Sequence, residues 1–335
     1  MSVSRPSSVP APSVPAPTDP TAPLVSVVIV SMNNPAMLAL SLPSIQKHTS
    51  VPVEVFVVAY LFSPENLALV RKTYPWVTFI ESNEIRGFAE NNNLALRQTR
   101  GKYCFVVNDD TQWDFPVIDE LVACFDRLPP EAAVVSPTIL RADGTVQFCG
   151  RPPSSLLNSF LYDICRHRLP SRFTNQKGLF LTYNISGAAF MIETDAFREM
   201  GWFDERYFFC PEDVALSTKL NKNGRRCYVF EPLRLTHIRS GSTRGSKTML
   251  ATKAAFVRGT VLFWKEAKPL QIVPFVLWTL FTCSGRALAW LLRFLLTRDP
   301  HAKLMSKVNG VAIRAALSRK TPKELFLEQY GNPVQ

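Results

Sequence analysis

The chain has 335 residues, of which 47% are hydrophobic and 19% are charged, and its formal net charge is +11. This length is sufficient to bury a full core in one large domain or in two modest ones. Seven cysteines lie scattered along the chain. They lack the spacing of a zinc site or a disulfide framework, which favours a reducing compartment.

The first 23 residues are rich in Pro, Ser and Ala and contain one Arg. A secretory signal requires an apolar core segment, which this stretch does not have. We therefore predict a disordered tail over residues 1–23 rather than a signal.

The positive charge is concentrated near the carboxyl terminus. Residues 1–243 contain 23 basic and 23 acidic side chains, whereas residues 244–335 contain 15 basic and 4 acidic ones. Such asymmetry predicts an anionic partner, either nucleic acid or the acidic face of a membrane. The aromatic residues of this part fall in an apolar run rather than on a recognition surface, which argues against nucleic acid.

Strand and helix patterns alternate after the tail. The strand patterns are runs of Val, Ile and Phe that end in polar residues, and helical spacing separates them. This alternation predicts βαβ units and a parallel sheet. Ligands of such sheets bind at the carboxyl ends of strands, where Asn108, Asp109 and Asp110 fall. The predicted strands span 25–34, 53–60, 77–82 and 102–110, and the predicted helices span 37–49, 64–74 and 88–96.

The middle of the chain is less regular. A polar, Arg-rich stretch over 141–178 has a weak pattern, and loops of that length are usually functional or mobile. Regular patterns surround it. The predicted helices span 116–128, 194–200 and 212–223, and the predicted strands span 134–140, 183–193 and 226–230.

Seven short motifs occur in collinear order over about residues 24–245. They are VSVVIVSMNN, GFAENNN, VVNDDT, SGAAFMI, GWFDERYFF, PEDVALSTKL and THIRSGST. Together they resemble glycosyltransferase family 2, in the branch that holds rhamnosyl- and galactofuranosyltransferases. The resemblance implies the GT-A fold, an α/β fold with a Rossmann-like mixed sheet.

The resemblance also implies a divalent metal, Mn²⁺ or Mg²⁺, that neutralises the leaving diphosphate of a nucleotide sugar. Asn108 and Asp110 occupy the first and third positions of the family's Asp-x-Asp motif. Asp110 is the expected metal ligand, with Asn108 and Asp109 near the ribose or the waters around the metal. His237 matches a residue that completes the metal shell, and imidazole favours manganese. The carboxylates could instead cap the following helix, and His237 could be structural.

An inverting transfer also requires a base that takes the proton of the acceptor hydroxyl. Asp213 matches the family's base, and Glu212 matches its neighbour that orients or binds the acceptor. Both carboxylates could instead be first-turn charges that stabilise a helix dipole.

Donor and acceptor contacts are also implied by the resemblance. Asn92 and Asn93 match an Asn pair near the donor, Gly87 allows a close backbone approach, and Ser31 and Asn33 end the first strand near the nucleotide. Ordinary turn roles for Ser31 and Asn33 remain open. The remaining implied residues are a floor under the sugar, Ser186, Gly187 and Ala188, and an acceptor side, Trp202, Phe203, Asp204 and Glu205.

The chain departs from the family at two places. Relatives usually end the second strand with an Asp that binds the base, whereas this chain has Ala59 and Tyr60. We expect Tyr60 to stack on the base or nucleotide selectivity to be relaxed. The family's Asn in the motif ENLGF is replaced by Ile85, and the adjacent Arg86 could reach a phosphate.

Residues 270–297 are apolar enough to suggest a membrane, but Arg286 and Arg293 interrupt them. Their spacing places both cations on one helical face, as in an interfacial helix. Further basic residues would attract anionic lipid, at about 1 kcal/mol each. We favour monotopic attachment over a membrane span, a buried helical subdomain or a dimer contact. These basic residues are Lys303, Lys307, Arg314, Arg319, Lys320 and Lys323.

Together these features predict a GT-A domain over 24–245 and a basic, amphipathic helical region over 246–335 that associates with the inner face of the cytoplasmic membrane. The expected activity is transfer of a hexose, such as rhamnose, from a nucleotide diphosphate sugar to a glycan or polyprenyl-linked acceptor. A homo-oligomer is left open. One rival hypothesis, motivated by Ala59, is a binding protein that has lost catalysis. Another is a nucleotidyltransferase, which should show a Gly/Lys-rich phosphate loop after the first strand.

Overall fold

The computed structural model describes residues 22–165, 170–238 and 245–331, so residues 1–21 of the predicted tail lie outside the described residues. The described strands are β1 (Val25–Met32), β2 (Val53–Tyr60), β3 (Thr78–Ser82), β4 (Tyr103–Val107), β5 (Thr111–Gln112), β6 (Ala132–Arg141), β7 (Val146–Phe148), β8 (Leu179–Thr182), β9 (Ala189–Glu193) and β10 (Arg226–His237). The described helices are α1 (Pro35–Lys47), α2 (Pro64–Thr73), α3 (Phe88–Leu96), α4 (Val117–Phe125), α5 (Leu156–Cys165), α6 (Thr194–Glu199), α7 (Glu212–Lys222), α8 (Ser246–Ala267), α9 (Ile272–Thr297), α10 (Pro300–Leu317) and α11 (Pro322–Tyr330).

The strands form one mixed sheet in the order β3-β2-β1-β4-β9-β6-β10-β5, with β7 on β6 and β8 on β10. The first four strands along the chain are parallel, as the alternation with helices predicted. Strand β9 then pairs antiparallel with both β4 and β6. The carboxyl ends of β1 and β4 therefore lie at one edge of the sheet, next to the amino end of β9.

Both faces of the sheet are covered. Along β1, Val27 and Ile29 belong to one hydrophobic cluster and Val28 to the other, because successive strand residues point to opposite faces. Burial of each such side chain stabilises the fold by about 1.5–3 kcal/mol. Both faces are occupied by apolar packing, so a polar site has room at the strand ends.

The predicted strand over 183–193 is interrupted. Residues 183–188 leave the sheet between β8 and β9 because backbone N–H groups in this segment donate to other segments. Tyr183 N and Asn184 N donate to Arg151 O at 3.2 and 3.0 Å, and Ile185 N donates to Ser217 Oγ at 3.1 Å. The weakly patterned stretch 141–178 is also more ordered than predicted, since it contains β7 and α5. Strand β10 extends beyond its predicted end to His237.

Helices α8 to α11 share a third hydrophobic cluster. The rings of Trp264 in α8 and Phe275 in α9 stack at 4.7 Å. Helix α11 returns to the sheet domain, where Lys323 Nζ lies 2.8 Å from Glu90 Oε1 and the Phe326 ring lies 4.6 Å from that of Phe208. The C-terminal helices are therefore fixed against the domain that carries the predicted site.

Gly87 lies where two backbone segments meet. The next amide, Phe88 N, donates to Phe208 O at 3.2 Å. A Cβ atom at position 87 would lie 2.3 Å from the same carbonyl oxygen. Glycine is therefore required because the Phe208 backbone leaves no space for a side chain.

We expect Gly87→Ala to lower the free energy of unfolding by about 1–3 kcal/mol, since the backbone at Phe208 must shift to admit the methyl group. Chemical denaturation of the full chain would measure the change. Gly310→Ala in α10 is the matched control: its Cβ would meet no atom within 4 Å, so a gain of up to about 1 kcal/mol in helix stability is expected. Equal effects of the two substitutions would contradict the packing argument.

Candidate active site

The pairing of β5 with β10 brings the metal-binding candidates together. Thr111 lies opposite His237 in this antiparallel pair, and Ile238 N donates to Asp110 O at 2.8 Å. As a result, Asp110 Oδ1 lies 3.0 Å from His237 Nε2, and both side chains are buried. The structure thus joins two residues that are 127 positions apart in the sequence.

The surroundings of His237 suit a cation. Its Nδ1 lies 3.1 Å from Gln147 Oε1, and Asn108 Nδ2 lies 3.3 Å from its Nε2. In the tautomer that donates its Nδ1 hydrogen to Gln147, the Nε2 lone pair faces the Asp110 carboxylate. Two electron-rich groups at this distance are stabilised by a cation that both can bind.

The donor set fits a divalent ion that also binds its substrate. Within the part of the chain that the structure describes, His, Cys, Asp and Glu side chains form no group of three or more that could hold a metal. Asp110 and His237 would therefore supply two ligands. A divalent ion held by two side chains keeps further coordination positions for water and other oxygen ligands.

Asp109 and Ser31 lie together at the ends of β4 and β1. Burial raises the pKa of Asp109 to about 6, and the Asp110 charge adds to this rise, while the neighbouring Ser31 hydroxyl opposes it. Ser31 is fully buried. The structure therefore brings these two predicted nucleotide-side residues next to the predicted metal ligand.

Asn33, Asn92 and Asn93, which were predicted to lie near the donor, make contacts within the fold. Asn33 Oδ1 accepts hydrogen bonds from Ser63 N at 3.0 Å and Asn66 Nδ2 at 2.9 Å, at the start of α2. Asn92 Nδ2 donates to Phe88 O at 2.9 Å.

Asn93 Nδ2 donates to Phe203 O at 2.9 Å, and Phe203 N donates back to Asn93 Oδ1 at 3.2 Å. These contacts fix α3 against the loop over 202–205. Direct donor contact by Asn33, Asn92 and Asn93 stays a prediction.

Asp213 lies at the same edge of the sheet as the metal candidates. Its Oδ2 accepts a hydrogen bond from Gly187 N at 3.1 Å, and its Oδ1 accepts one from Val214 N at 2.8 Å. The adjacent Ala188 O accepts from Asn108 N at 3.0 Å. The short segment Gly187–Ala188 therefore links the predicted base to the strand end that carries Asp110.

Glu212 differs from Asp213 in its environment. It is 5% exposed, and its Oε2 accepts no hydrogen bond within the described residues. Burial raises the pKa of Glu212 to about 8, and the Asp213 charge adds to the rise. Glu212 is therefore mainly neutral at pH 7, next to the carboxyl group of Asp213.

The predicted acceptor-side loop has structural contacts. Phe203 is buried and its ring lies 5.8 Å from that of Phe88. Asp204 pairs with Arg206, and Glu205 pairs with Arg97 at 2.6 Å. The loop borders a cavity of about 630 Å³ that it shares with α7 and α8.

Tyr60 and Arg86, which adjoin the two departures from the family pattern at Ala59 and Ile85, contact each other. The Tyr60 hydroxyl accepts a hydrogen bond from Arg86 N at 3.3 Å. The Arg86 guanidinium lies 2.9 Å from Glu84 Oε2 and donates to Ser82 Oγ at 3.3 Å. Tyr60 thus holds the segment that leads into α3. Stacking on a base stays a prediction.

Sequence reasoning missed two residues of the weakly patterned stretch, Gln147 and Arg151. Gln147 contacts His237, and Arg151 Nη1 lies 3.9 Å from Asp213 Oδ2. Gly150 precedes Arg151 and has a φ of +80°, and a Cβ atom at this position would lie 2.2 Å from Phe173 O. Only glycine fits here, so Gly150 allows the backbone to place Arg151 beside Asp213. The stretch 141–178 is rich in Arg, but no spacing of its residues distinguishes Gln147 or Arg151 from their neighbours.

Comparison with known proteins identifies the family. The model of the family described as Glycosyl transferase family 2 matches residues 26–201, just over half of the chain. The chain therefore belongs to glycosyl transferase family 2, as its motifs predicted.

Two curated relatives are each 26% identical to the chain and each match 66% of it. One is the O-antigen biosynthesis protein RfbC of Myxococcus xanthus, matched over 228 residues and 18% of its own length. The other is the N-acetylglucosaminyl-diphospho-decaprenol L-rhamnosyltransferase of Mycobacterium tuberculosis, matched over 239 residues and 78% of its length. These names agree with a rhamnosyltransferase-like branch. The chain spans less than a fifth of the Myxococcus protein.

Two solved structures are similar to the fold. GalNAc-T7 with UDP, GalNAc and Mn²⁺ has a TM-score of 0.52 and 18% identity, covering 75% of this chain and 50% of its own. The mannosyltransferase PcManGT from Pyrobaculum calidifontis in complex with GDP-Man and Mn²⁺ has a TM-score of 0.51 and 17% identity, covering 92% of this chain and 90% of its own. The predicted GT-A fold is confirmed.

We expect stability to fall as the pH rises from about 5 to about 8, because the raised pKa of Glu212 makes the folded state bind more protons than the unfolded state. The contribution of this one group approaches about 1.4 kcal/mol per pH unit. Chemical denaturation at several pH values would measure it.

Glu212→Gln should remove this component, whereas Glu199→Gln, at an exposed position of α6, should keep it. The same pH slope in the parent and in Glu212→Gln would contradict the assigned protonation.

Proposed function

We propose that the chain is an inverting, metal-dependent glycosyltransferase that moves a hexose, with rhamnose as the expected sugar, from a nucleotide diphosphate to a glycan or lipid-linked acceptor in cell-surface polysaccharide synthesis. One observation carries the proposal: Asp110 contacts His237 at one edge of the sheet, and the segment Gly187–Ala188 hydrogen-bonds both to Asp213 and to Asn108, two residues before Asp110. A metal site and a base on opposite sides of the molecule would not support transfer.

Asp110 and His237 would hold Mn²⁺ or Mg²⁺. When bound, the ion supplies Lewis-acid stabilisation of the negative charge on the departing diphosphate. The contact of His237 with Gln147 orients the imidazole so that Nε2 faces Asp110. The Mn²⁺ in the two solved relatives supports this assignment.

Asp213 would remove the proton of the acceptor hydroxyl. Its Oδ2 is held by a hydrogen bond from the Gly187 N–H, which fixes the orientation of the carboxylate. Neutral Glu212 stands beside it without adding a second negative charge. Attack by the activated hydroxyl opposite the leaving group inverts the anomeric centre.

The sugar and the acceptor class are supported by the relatives. The name of the Mycobacterium tuberculosis enzyme contains both L-rhamnose transfer and a diphospho-decaprenol acceptor, and that of the Myxococcus protein contains O-antigen biosynthesis. Both names agree with a glycan built on a lipid carrier. The retained carboxylates argue against a protein that has lost catalysis.

We expect Asp213→Asn to lower kcat about a thousandfold, because an amide cannot accept the hydroxyl proton and general-base catalysis commonly contributes about 10²- to 10⁴-fold. The assay is sugar transfer or donor hydrolysis with a panel of nucleotide sugars and Mn²⁺. Nucleotide affinity should remain unchanged.

Asp195→Asn, a substitution of an exposed aspartate in α6, is the matched control and should keep the parent rate. The proposal is overturned if the parent uses no sugar in the panel, or if Asp213→Asn is as fast as the parent.

Membrane attachment through α9 is the second part of the proposal. One helical stretch within the described residues, Pro269–Thr297, is long and apolar enough to cross a membrane. An 18-residue window within it has a mean hydropathy of 1.5 and is 11% buried. Helix α10 and the end of α8 pack against one side of it. The other side exposes a stripe of large apolar residues: Leu270, Val273, Leu277, Phe281, Leu288, Leu291, Leu292, Leu295 and Leu296.

The two arginines of this helix differ from the sequence prediction of two cations at lipid head groups. Arg286 Nη2 lies 2.8 Å from Asp163 Oδ1 of α5, so its charge is paired within the protein. Arg293 lies over the Trp290 ring at 5.3 Å, and its Nη2 is 3.8 Å from Asp299 Oδ2. The apolar stripe thus supports monotopic attachment more strongly than these cations do.

Leu288→Glu combined with Leu292→Glu should abolish binding to vesicles that contain phosphatidylglycerol, since each charge would enter the acyl boundary at a cost of about 2–3 kcal/mol. Vesicle flotation measures the bound fraction. Leu69→Glu, at an exposed leucine of α2, should float like the parent. If the double variant floats to the same extent as the parent, this face is not the attachment surface.

A further inference from the structure

Arg151 presents a positive charge beside Asp213. Its backbone is fixed, since Arg151 N donates to Thr182 Oγ1 at 2.9 Å and Arg151 O accepts from Asn184 N at 3.0 Å. Its guanidinium lies over the Phe148 ring at 5.6 Å. The side chain is therefore held in place from its backbone to its head group.

The head group itself has spare binding capacity. Its nearest charged neighbour is Asp213 Oδ2, at 3.9 Å, beyond hydrogen-bond distance. The guanidinium donates no hydrogen bond to any residue that the structure describes, and the side chain is 35% exposed. An arginine with unused N–H groups matches the paired oxygens of a phosphate.

The chain leads from Arg151 to an apolar groove. Four residues separate Arg151 from Leu156, the first residue of α5, which packs in the same cluster as Val214 next to the predicted base. An extended chain covers at most about 17 Å over this separation. Four helical residues then add about 6 Å to reach Phe160.

The groove lies between α5 and α9 and has a volume of about 420 Å³. The rings of Phe160 and Trp278 lie 4.4 Å apart. Asp163, which accepts a hydrogen bond from Trp278 Nε1 at 3.1 Å, is neutralised by Arg286. Because the charge of Asp163 is paired, it does not disfavour the binding of an apolar ligand in the groove. The lining residues are Phe160, Pro274, Leu277, Trp278 and Phe281.

We propose that these two features form the acceptor subsite for a lipid-linked diphosphate: Arg151 binds the diphosphate next to the base, and the groove binds the first part of the lipid chain. The inference rests on the proposed function, because Asp213 identifies this side of the cleft as the acceptor side. A free glycan would make no use of the groove. The donor diphosphate has its own site at Asp110 and His237.

Farnesyl diphosphate is a suitable probe, since it carries a diphosphate on a short isoprenoid chain. It is titrated by calorimetry into the full chain in EDTA, which prevents diphosphate binding through a metal. Farnesol and inorganic diphosphate are titrated in parallel. We expect farnesyl diphosphate to bind at least tenfold more tightly than either, because neither fills both features.

Arg151→Ala should weaken farnesyl diphosphate at least tenfold, and Arg151→Lys should recover part of the loss because it keeps the charge without the paired donors. Lys72→Ala removes an exposed charge from α2 and should change the affinity less than twofold. Leu277→Gln should weaken farnesyl diphosphate about fivefold and leave inorganic diphosphate unchanged, whereas Leu69→Gln should change neither.

Three results overturn the inference: farnesyl diphosphate binds no more tightly than inorganic diphosphate, Arg151→Ala binds it as the parent does, or Arg151→Ala instead weakens a nucleoside diphosphate bound with Mn²⁺. The proposed function is tested separately by sugar transfer. Arg151-dependent farnesyl diphosphate binding without transfer from any nucleotide sugar would overturn that function alone. If sugar transfer depends on Asp213 but Arg151→Ala binds farnesyl diphosphate as the parent does, this inference alone is overturned.

Discussion

The site depends on the short segment Gly187–Ala188, which is hydrogen-bonded on both sides. Ala188 O accepts from Asn108 N in the metal motif, and Gly187 N donates to Asp213. The carboxylates of Asp110 and Asp213 come from distant parts of the sequence and repel each other. A rigid, uncharged segment between them holds both in place. Backbone groups provide it without a side chain in the cleft.

The same arrangement gives neighbouring carboxyl groups different states. Asp110 meets an imidazole, Asp213 meets an N–H group, and Glu212 is buried without a hydrogen bond to its Oε2 within the described residues. Burial raises the pKa of Glu212 to about 8, so this carboxyl group is mainly protonated near neutral pH. One cluster of acids can thus combine cation binding, proton transfer and a neutral neighbour.

The C-terminal helices connect this site to an apolar surface. Helix α11 contacts α3 through Lys323 and Glu90, and α9 meets α5 through Asp163 and Arg286. Helix α5 begins a few residues after Arg151, so the segment beside Asp213 continues directly to this apolar surface. In the proposed mechanism the lipid-borne acceptor would approach from the membrane side, and the nucleotide donor would bind beside Asp110 at the same edge of the sheet as Asp213.

The sequence by itself determined the alternating architecture, since Val and Ile runs such as 25–30 bury both faces of a parallel strand, and collinear motifs located Asp110, Asp213 and His237. Only the tertiary structure decided which residues Asn93 and Arg286 contact, because their partners lie in distant segments that no local pattern encodes. The same holds for Gln147 and Arg151, which lie in a stretch without periodicity. Hydrogen bonds across the fold, rather than spacing along the chain, assign these residues their neighbours.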